Sequence, residues 1–395
     1  MNPTQIHRSI LRQLISLQRS GHVARVRLVA RLHNAELLGG RSVSPILLFI
    51  PDLHLMTKKA DHKYRFSFRK LEPKHFVKRD VLLDRLCKAM LEFRNQLPNR
   101  SMLTVVQLGD FVDLWREQEL VKGEAVNSTV RRILNDNPEA HTRLISTGAE
   151  SLTADLVRGN HDWQIFESDD MQRAKPAHVY AVDGKETVLV THGHFFDWVE
   201  DFQDELQEAF VEAFGPKVDP DKNELDRTKT RKKDIFIDEE ESFWGIADDE
   251  TTGPQGEAPI VVKREDQSLP TQVNVWVTKG TFEFEKVVKG HKLMARALTY
   301  AKRLRKGTDS HIKKLELSRA LPDLRTMVIG HSHFARICIH SEIGASANRF
   351  VLVDCGAWIE YARFGKEVFP ACQIGVLCGG DMRIYQLDPR ADLLH

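Results

Sequence analysis

Five short apolar runs, each closing on an acid, an amide or a histidine, constrain this chain more than any other feature. Ile46–Ile50 leads into Pro51 and Asp52, Leu103–Leu108 into Gly109 and Asp110, and Asp155–Val157 toward Gly159 and Asn160. Val188–Val190 leads toward His192, and Met327–Ile329 into Gly330 and His331. Runs of this length, rich in Val, Ile and Leu, read as strands buried on both faces that present polar groups only at their tips. Between the first two, Val81–Leu97 has helical periodicity through Leu82, Leu86, Met90, Phe93 and Leu97. Thr129–Ser146 is predicted helical in part, with a break near Pro138. Strands alternating with helices predict an α/β fold whose ligands gather at the carboxyl ends of the strands.

Composition sets the outer limits. With 395 residues and 42% of them hydrophobic, the chain can bury a sizeable core as one elaborated domain or as two. Lys and Arg number 57 against 56 Asp and Glu, so no global field draws the chain to nucleic acid. Cys87, Cys338, Cys355, Cys372 and Cys378 are odd in number, scattered, and form no CxxC pair. Four of them sit in apolar strand-like stretches, which fits a reducing compartment. No apolar run approaches the roughly 20 residues of a membrane span, and arginines interrupt the apolar N-terminal stretches. A cytoplasmic protein, at most peripheral to a membrane, is the expectation.

Flanking segments differ in texture. Residues 4–38 are predicted helical, with Ile6, Ile10, Leu14 and Leu17 on one face. Gly21 then separates a second helix carrying Val23, Val26, Leu28 and Leu32. Arginine dominates here, so residues 1–42 are read as a basic helical extension. It either packs on its own domain or rests on a partner or an anionic membrane. The main domain is expected over 43–195 and 311–395, with an insertion, a possible cap, over 196–310. Within the insertion Trp198, Phe202, Leu206, Phe210 and Phe214 mark one helix, and Phe282–Lys306 another. Residues 215–272, charged and rich in Pro and Gly, are predicted to be a long loop or partly disordered. Its basic run Arg227–Lys233 lies beside Asp238–Glu241, which favours a solvated surface over a nucleic-acid track. From Arg349 onward the chain is predicted to be all-β.

Chemistry concentrates at the strand tips. Asp52 and His54 form one short motif, and Gly109, Asp110 and Asp113 another. Gly159, Asn160, His161 and Asp162 form the third, His192 and His194 the fourth, and Gly330, His331 and His333 the fifth. Each alone is weak; all five in order, each after a predicted strand, are specific. Borderline divalent metals take imidazole nitrogen and carboxylate or amide oxygen, and in extended chain residues i and i+2 point the same way. Asp52 with His54, and His331 with His333, can therefore address one metal or two adjacent ones. Asp110, with two carboxylate oxygens, can bridge. Two neighbouring cations stabilise both the attacking and departing oxygens of an in-line displacement and lower the pKa of a bound water. A histidine next to a ligand and followed by an acid, as His161 is by Asp162, suits general-acid duty, with ligand support as the plainer role. Asp113 is expected to orient a ligating histidine. His194 is left between substrate or outer-shell contact and plain solvent exposure. Trp115, Trp163 and Trp198 each follow a motif and are read first as core.

In these motifs the sequence resembles the calcineurin-like metallophosphoesterase superfamily, whose pattern of DxH, GDxxD, GNH(D/E), a lone His and GHxH is matched in order from Asp52 to His333. The resemblance implies a four-layer αββα sandwich with a helical insertion and two divalent ions, Mn, Fe or Zn, between the sheets. It implies one ion on Asp52, His54, Asp110 and His333, and the other on Asp110, Asn160, His192 and His331. It further implies that His161 protonates the leaving oxygen and that Asp162 orients it. The stretches Asp52–Leu55, Asp110–Trp115 and Cys355–Glu360 also resemble the UDP-2,3-diacylglucosamine pyrophosphatase branch, although that branch has arginine at the position of His161. The implied activity is hydrolysis of a phosphodiester, phosphomonoester or pyrophosphate in a small-molecule or lipid-linked substrate. A nuclease or a protein phosphatase on the same platform is the alternative, and a non-catalytic scaffold a third.

Overall fold

The computed structural model describes residues 2–33, 46–60, 79–114, 116–117, 124–182, 184–196, 245–247, 260–263, 272–276, 290–333, 335–341, 349–358, 360–364, 367–370 and 372–389. The expected helix Trp198–Phe214, the charged runs 227–233 and 238–241, residues 282–289, Trp115 and Trp198 lie outside them. The chain forms two compact units, Met1–His194 with Arg296–His395, and Phe195–Ala295.

In the first unit the strands are β1 (Arg25–His33), β2 (Ile46–Ile50), β3 (Leu103–Gln107), β4 (Asp155–Leu156), β5 (Ala177–Val182) and β6 (Lys185–Thr191). The second unit holds β7 (Gly245–Ala247), β8 (Ile260–Lys263) and β9 (Gln272–Trp276). The first resumes with β10 (Thr326–Ile329), β11 (Arg336–Ser341), β12 (Arg349–Asp354), β13 (Glu360–Phe364), β14 (Glu367–Pro370), β15 (Gln373–Cys378) and β16 (Asp381–Asp388). One sheet runs β1-β16-β15-β2-β3-β4 and another β11-β12-β10-β6-β5. Both are mixed. In the first, β2, β3 and β4 are parallel; in the second, β6, β10 and β12 are. The protein is thus mixed α/β, with the parallel strands at one side of the first sheet and in the centre of the second.

Strand β2 shows why the sheets have these neighbours. Successive side chains alternate faces, and every residue of Ile46–Ile50 is buried. Ile46, Leu48 and Ile50 join a core with Ile6, Ile10, Leu14 and Leu17 of the helix Pro3–Arg19 and with Leu82, Leu86, Met90 and Phe93 of the helix Arg79–Asn95. Leu47 and Phe49 join a second core with Val188, Val190, Val328, Val351 and Val353 of the other sheet. A strand apolar on both faces therefore separates a helix layer from the opposing sheet.

The N-terminal segment is half helix and half strand. Pro3–Arg19 is helical, opened by a reciprocal cap in which Gln5 N donates to Asn2 Oδ1 and Asn2 N to Gln5 Oε1, both at 2.9 Å. Residues 25–33, expected to be a second helix, instead form β1 and pair antiparallel with β16. The alternation of Arg25 and Arg27 with Val26 and Leu28 satisfies a period of two, and the open edge of β16 decides in favour of it. Residues 25–33 are therefore part of the main sheet, and the helix Pro3–Arg19 packs against its core. The loop expected over 215–272 also needs correction, because β7, β8 and β9 form a three-stranded antiparallel sheet. Its signal was the β-branched run Ile260–Val262 and the alternation in Val273–Val275. No helix among the described residues is long and apolar enough to cross a membrane.

Buried His7 ties the first helix to β16. Its Nε2 lies 3.0 Å from the Asp381 carbonyl oxygen and 3.7 Å from Asp381 Oδ1. Burial pushes the imidazole down from 6.5 to about 4, with Asp381 pulling the other way. The unfolded chain thus takes up this proton first, so the contribution is present above about 6.5 and is lost as pH falls through about 4. Lowering the pH from 7.5 to 4.5 is expected to remove about 2–3 kcal/mol through this group, read as a drop in the urea midpoint that His7→Gln largely abolishes. Equal pH slopes in wild type and variant would rule out His7 as the source.

Candidate metal centre

Strand direction assembles the site. Parallel strands end at the same side of a sheet, so Asp52 after β2, Asp110 after β3 and Asn160 after β4 emerge together. His192 after β6 and His331 after β10 emerge likewise from the other sheet. Backbone pairing continues past the strands: Leu53 N and His54 N both donate to the Asp110 carbonyl, at 3.1 and 2.8 Å, and Gly330 N donates to the His192 carbonyl at 3.0 Å.

Backbone strain gathers here. His54, Asp110, His331 and His333 have φ of 43°, 46°, 62° and 57°, in the left-handed region that non-glycine residues seldom adopt. Such conformations persist when the surroundings over-determine them, and they concentrate at functional sites. Glycines close the packing. A Cβ on Gly159 would lie 1.9 Å from Asp110 Oδ1, and one on Gly330 would lie 2.1 Å from Asp52 Oδ1.

The side chains meet as a buried lattice of carboxylates and imidazoles. Asp110 Oδ2 lies 3.5 Å from His54 Nε2 and 3.3 Å from His192 Nε2. Asp52 Oδ2 lies 3.4 Å from His192 Nε2 and 3.1 Å from His333 Nε2, and it accepts from His331 N at 3.0 Å. Among the described residues, three groups have ligand atoms close enough to share a cation: Asp52 with His54 and His333, Asp52 with Asp110 and His192, and His54 with Asp110 and His161. The His331 ring stands 4.8 Å from that of His192. Asn160 Oδ1 and Asp52 Oδ1 are buried without a hydrogen-bond partner. An unsatisfied buried acceptor costs about 1–3 kcal/mol, and a cation beside either one would relieve it while neutralising the carboxylates. The donor set of imidazole, carboxylate and amide oxygen fits a borderline divalent ion.

Electrostatics point the same way. Burial alone would raise the Asp52 carboxyl, yet His192 and His333 hold it below the usual range. Burial also opposes ionisation of Asp110, and His192 and His161 overcome it. His192 is desolvated too, but Asp110 and Asp52 lift it well above 6.5. A cation bound at this place would compete with a proton on His192 for the same carboxylates.

Around this lattice the assignments shift. Asp113, as expected of an orienting carboxylate, lies 3.3 Å from His54 Nδ1 through Oδ2. Its Oδ1 also lies 3.3 Å from His161 Nδ1. Asp162, expected beside His161, instead accepts from Gly159 N at 2.7 Å and from Phe111 N at 2.7 Å and Val112 N at 3.3 Å. It fastens the β3 tip to the β4 tip, and the carboxylate next to His161 is Asp113. Burial, and then the negative Asp110, push the Asp162 carboxyl up to about 7. Asp113 is held well down, against its burial, chiefly by Arg116, whose Nη1 donates to Oδ2 at 2.6 Å. His194 is buried, not solvent-facing. Its Nδ1 lies 3.1 Å from His192 Nδ1 and its ring 5.6 Å from half-buried Trp163. Burial, with His192 and His331, keeps it well below 6.5.

Sequence reasoning missed two residues. Arg116, three positions after Asp113, had spacing as its only signal. Asp354 closes the apolar strand β12 as the named residues close theirs, and the same tip pattern marks it. Compared with known proteins, the sequence matches no family model and no curated protein.

Proposed function

We propose that this chain is a dinuclear metal-dependent phosphoesterase of the calcineurin-like kind, built as a four-layer αββα sandwich. The observation that carries the reading is the convergence of Asp52, His54, Asp110, His192 and His333 into overlapping groups able to hold a cation. Asn160 Oδ1 and Asp52 Oδ1 add unsatisfied acceptors to the same place. Asp52, His54, Asp110 and His333 would hold one ion; Asp110, Asn160, His192 and His331 would hold the other. When bound, the two ions, Mn, Fe or Zn, supply Lewis-acid activation of water and stabilise charge on the phosphoryl oxygens.

The chain's own groups complete the site. Asp113 aligns His54, and Arg116 holds Asp113. His161, buried beside Asp113, is the proposed general acid for the leaving oxygen. The substrate class is a phosphorylated small molecule or lipid-linked phosphoester or pyrophosphate, and the cell compartment proposed is the cytoplasm. Arg8, Arg12, Arg19 and Arg25, exposed on the first helix and β1, suit peripheral contact with an anionic membrane.

The test is metal loading followed by a substrate panel. An ion at 100 times its Kd stabilises the fold by about 2.7 kcal/mol, so saturating Mn should raise Tm by roughly 3–5 °C for each ion bound. The Mn-loaded protein should then hydrolyse one or more of aryl monoesters, aryl diesters, nucleotide-sugar pyrophosphates and oligonucleotides. No Tm response to Mn, Fe or Zn, together with no turnover on any panel member, would sink the reading.

A further inference from the structure

The turn carrying His331 and His333 is strained at both histidines, and Gly330 before it abuts Asp52. Within it Ser332 N donates to the Gly330 carbonyl at 2.7 Å, which tightens the turn without fixing where it points. A group outside the turn does that. Asp354, fully buried at the tip of β12, accepts the Ser332 hydroxyl proton through Oδ2. Its Oδ1 accepts from Gly356 N at 3.1 Å. Arg336 Nη2 donates to Ser332 Oγ at 3.1 Å and lies 3.5 Å from Asp354 Oδ2.

The sheet dictates this arrangement. Strand β12 pairs in parallel with β10 so that Asp354 stands beside Ile329, the last residue before the turn. It pairs antiparallel with β11 so that Asp354 faces Arg336 across the strands. Cys355 N donates to the Ile329 carbonyl at 2.8 Å and locks that register. An acid buried at this tip therefore reaches the middle of the His331–His333 turn through the Ser332 hydroxyl.

We propose that Asp354 is a positioning residue which, through Ser332 and Arg336, clamps the turn and sets the spacing of His331 and His333. Its consequence for ion affinity rests on the metal-dependent reading above; the clamp itself does not. The two histidines would serve different ions, so loosening the turn weakens both sites together. Loss of one ligand would weaken mainly its own ion.

Asp354→Asn alters a fully buried group and risks the fold, so half-buried Ser332 decides. In the full chain Ser332→Ala is expected to weaken both Co²⁺ dissociation constants, followed by visible absorption, about 10- to 100-fold. Ser332→Thr, which keeps the hydroxyl, should restore them. In the metal-free protein, amide exchange at His331 and Ser332 should accelerate about 10-fold or more in Ser332→Ala, while exchange at Leu48 stays unchanged. Unchanged exchange at those two amides overturns the clamp. Faster exchange with unaltered cobalt binding overturns the positioning role. A wild-type chain that takes up no cobalt defeats the metal reading instead, and the exchange comparison still decides the clamp.

Discussion

Asp110→Asn should abolish turnover, by about 10³-fold or more, and reduce the metal content of the purified protein. The substitution keeps size and shape. Oδ1 can still accept from His161 N, a bond of 2.9 Å, so the fold around the β3 tip has no steric reason to change. What disappears is the negative charge 3.5 Å from His54 Nε2 and 3.3 Å from His192 Nε2. Those two histidines belong to different proposed ions, and the single oxygen Asp110 Oδ2 lies within 3.5 Å of both. Asp52, the other central acid, reaches His192 and His333. Removal of Asp110's charge should therefore cost the pair, where removal of an outer ligand costs one member.

His161→Ala provides the contrast. It should retain both ions and lose about 10²–10⁴-fold of the rate on substrates with poor leaving groups. Metal analysis of the two variants side by side separates the roles. If Asp110→Asn keeps two ions and its activity, the dinuclear reading fails. If His161→Ala loses an ion, His161 is a ligand, as its grouping with His54 and Asp110 permits.

The strand tips were legible because each residue there obeys one local rule: an apolar run buried on both faces can expose polarity only where it ends. That rule located Asp52, Asp110, Asn160, His192 and His331; His54 and His333 were reached by an i, i+2 argument for extended chain, although both stand in tight turns with left-handed φ. The helix Arg79–Asn95 was legible for a similar reason, since its periodicity is long and uninterrupted. Residues 25–33 were not. Their pattern accommodates both periods, and what decides for a strand is the edge of β16, more than 340 residues away. The partner of His161 was illegible for a related reason. Asp162 is next in sequence, but the turn at Gly159 directs its carboxylate to the backbone of residues 111 and 112. Asp113, from another strand tip, takes the place beside the imidazole. Sequence adjacency says little about side-chain contact where the backbone turns sharply.

Gly159→Ala should be strongly damaging for a change of a single carbon. Gly159 does not have positive φ, so alanine would find its backbone conformation comfortable; the obstacle is space alone. The new Cβ would sit 1.9 Å from Asp110 Oδ1 and 2.3 Å from Asp110 N. A carboxylate can swing aside, but a backbone nitrogen cannot. Retreat of Asp110 is also blocked, because its neighbour Gly109 has the ring of His192 against it, 2.6 Å from where a Cβ would be. The tips of β3 and β4 would have to separate, breaking the bonds that Asp162 makes to both. A loss of about 3 kcal/mol or more is expected, along with metal uptake. Gly330→Ala tests the distinction. Its nearest obstacle is the Asp52 Oδ1 atom at 2.1 Å, a side-chain end, so it should cost less stability and still lose metal. Gly148→Ala has nothing within 4 Å and no positive φ, and should leave stability unchanged or raise it by about 0.4–1 kcal/mol. Urea midpoints and cobalt uptake across the three variants give the ranking. A Gly159→Ala protein as stable as wild type would mean that the two strand tips do not meet as closely as the site requires.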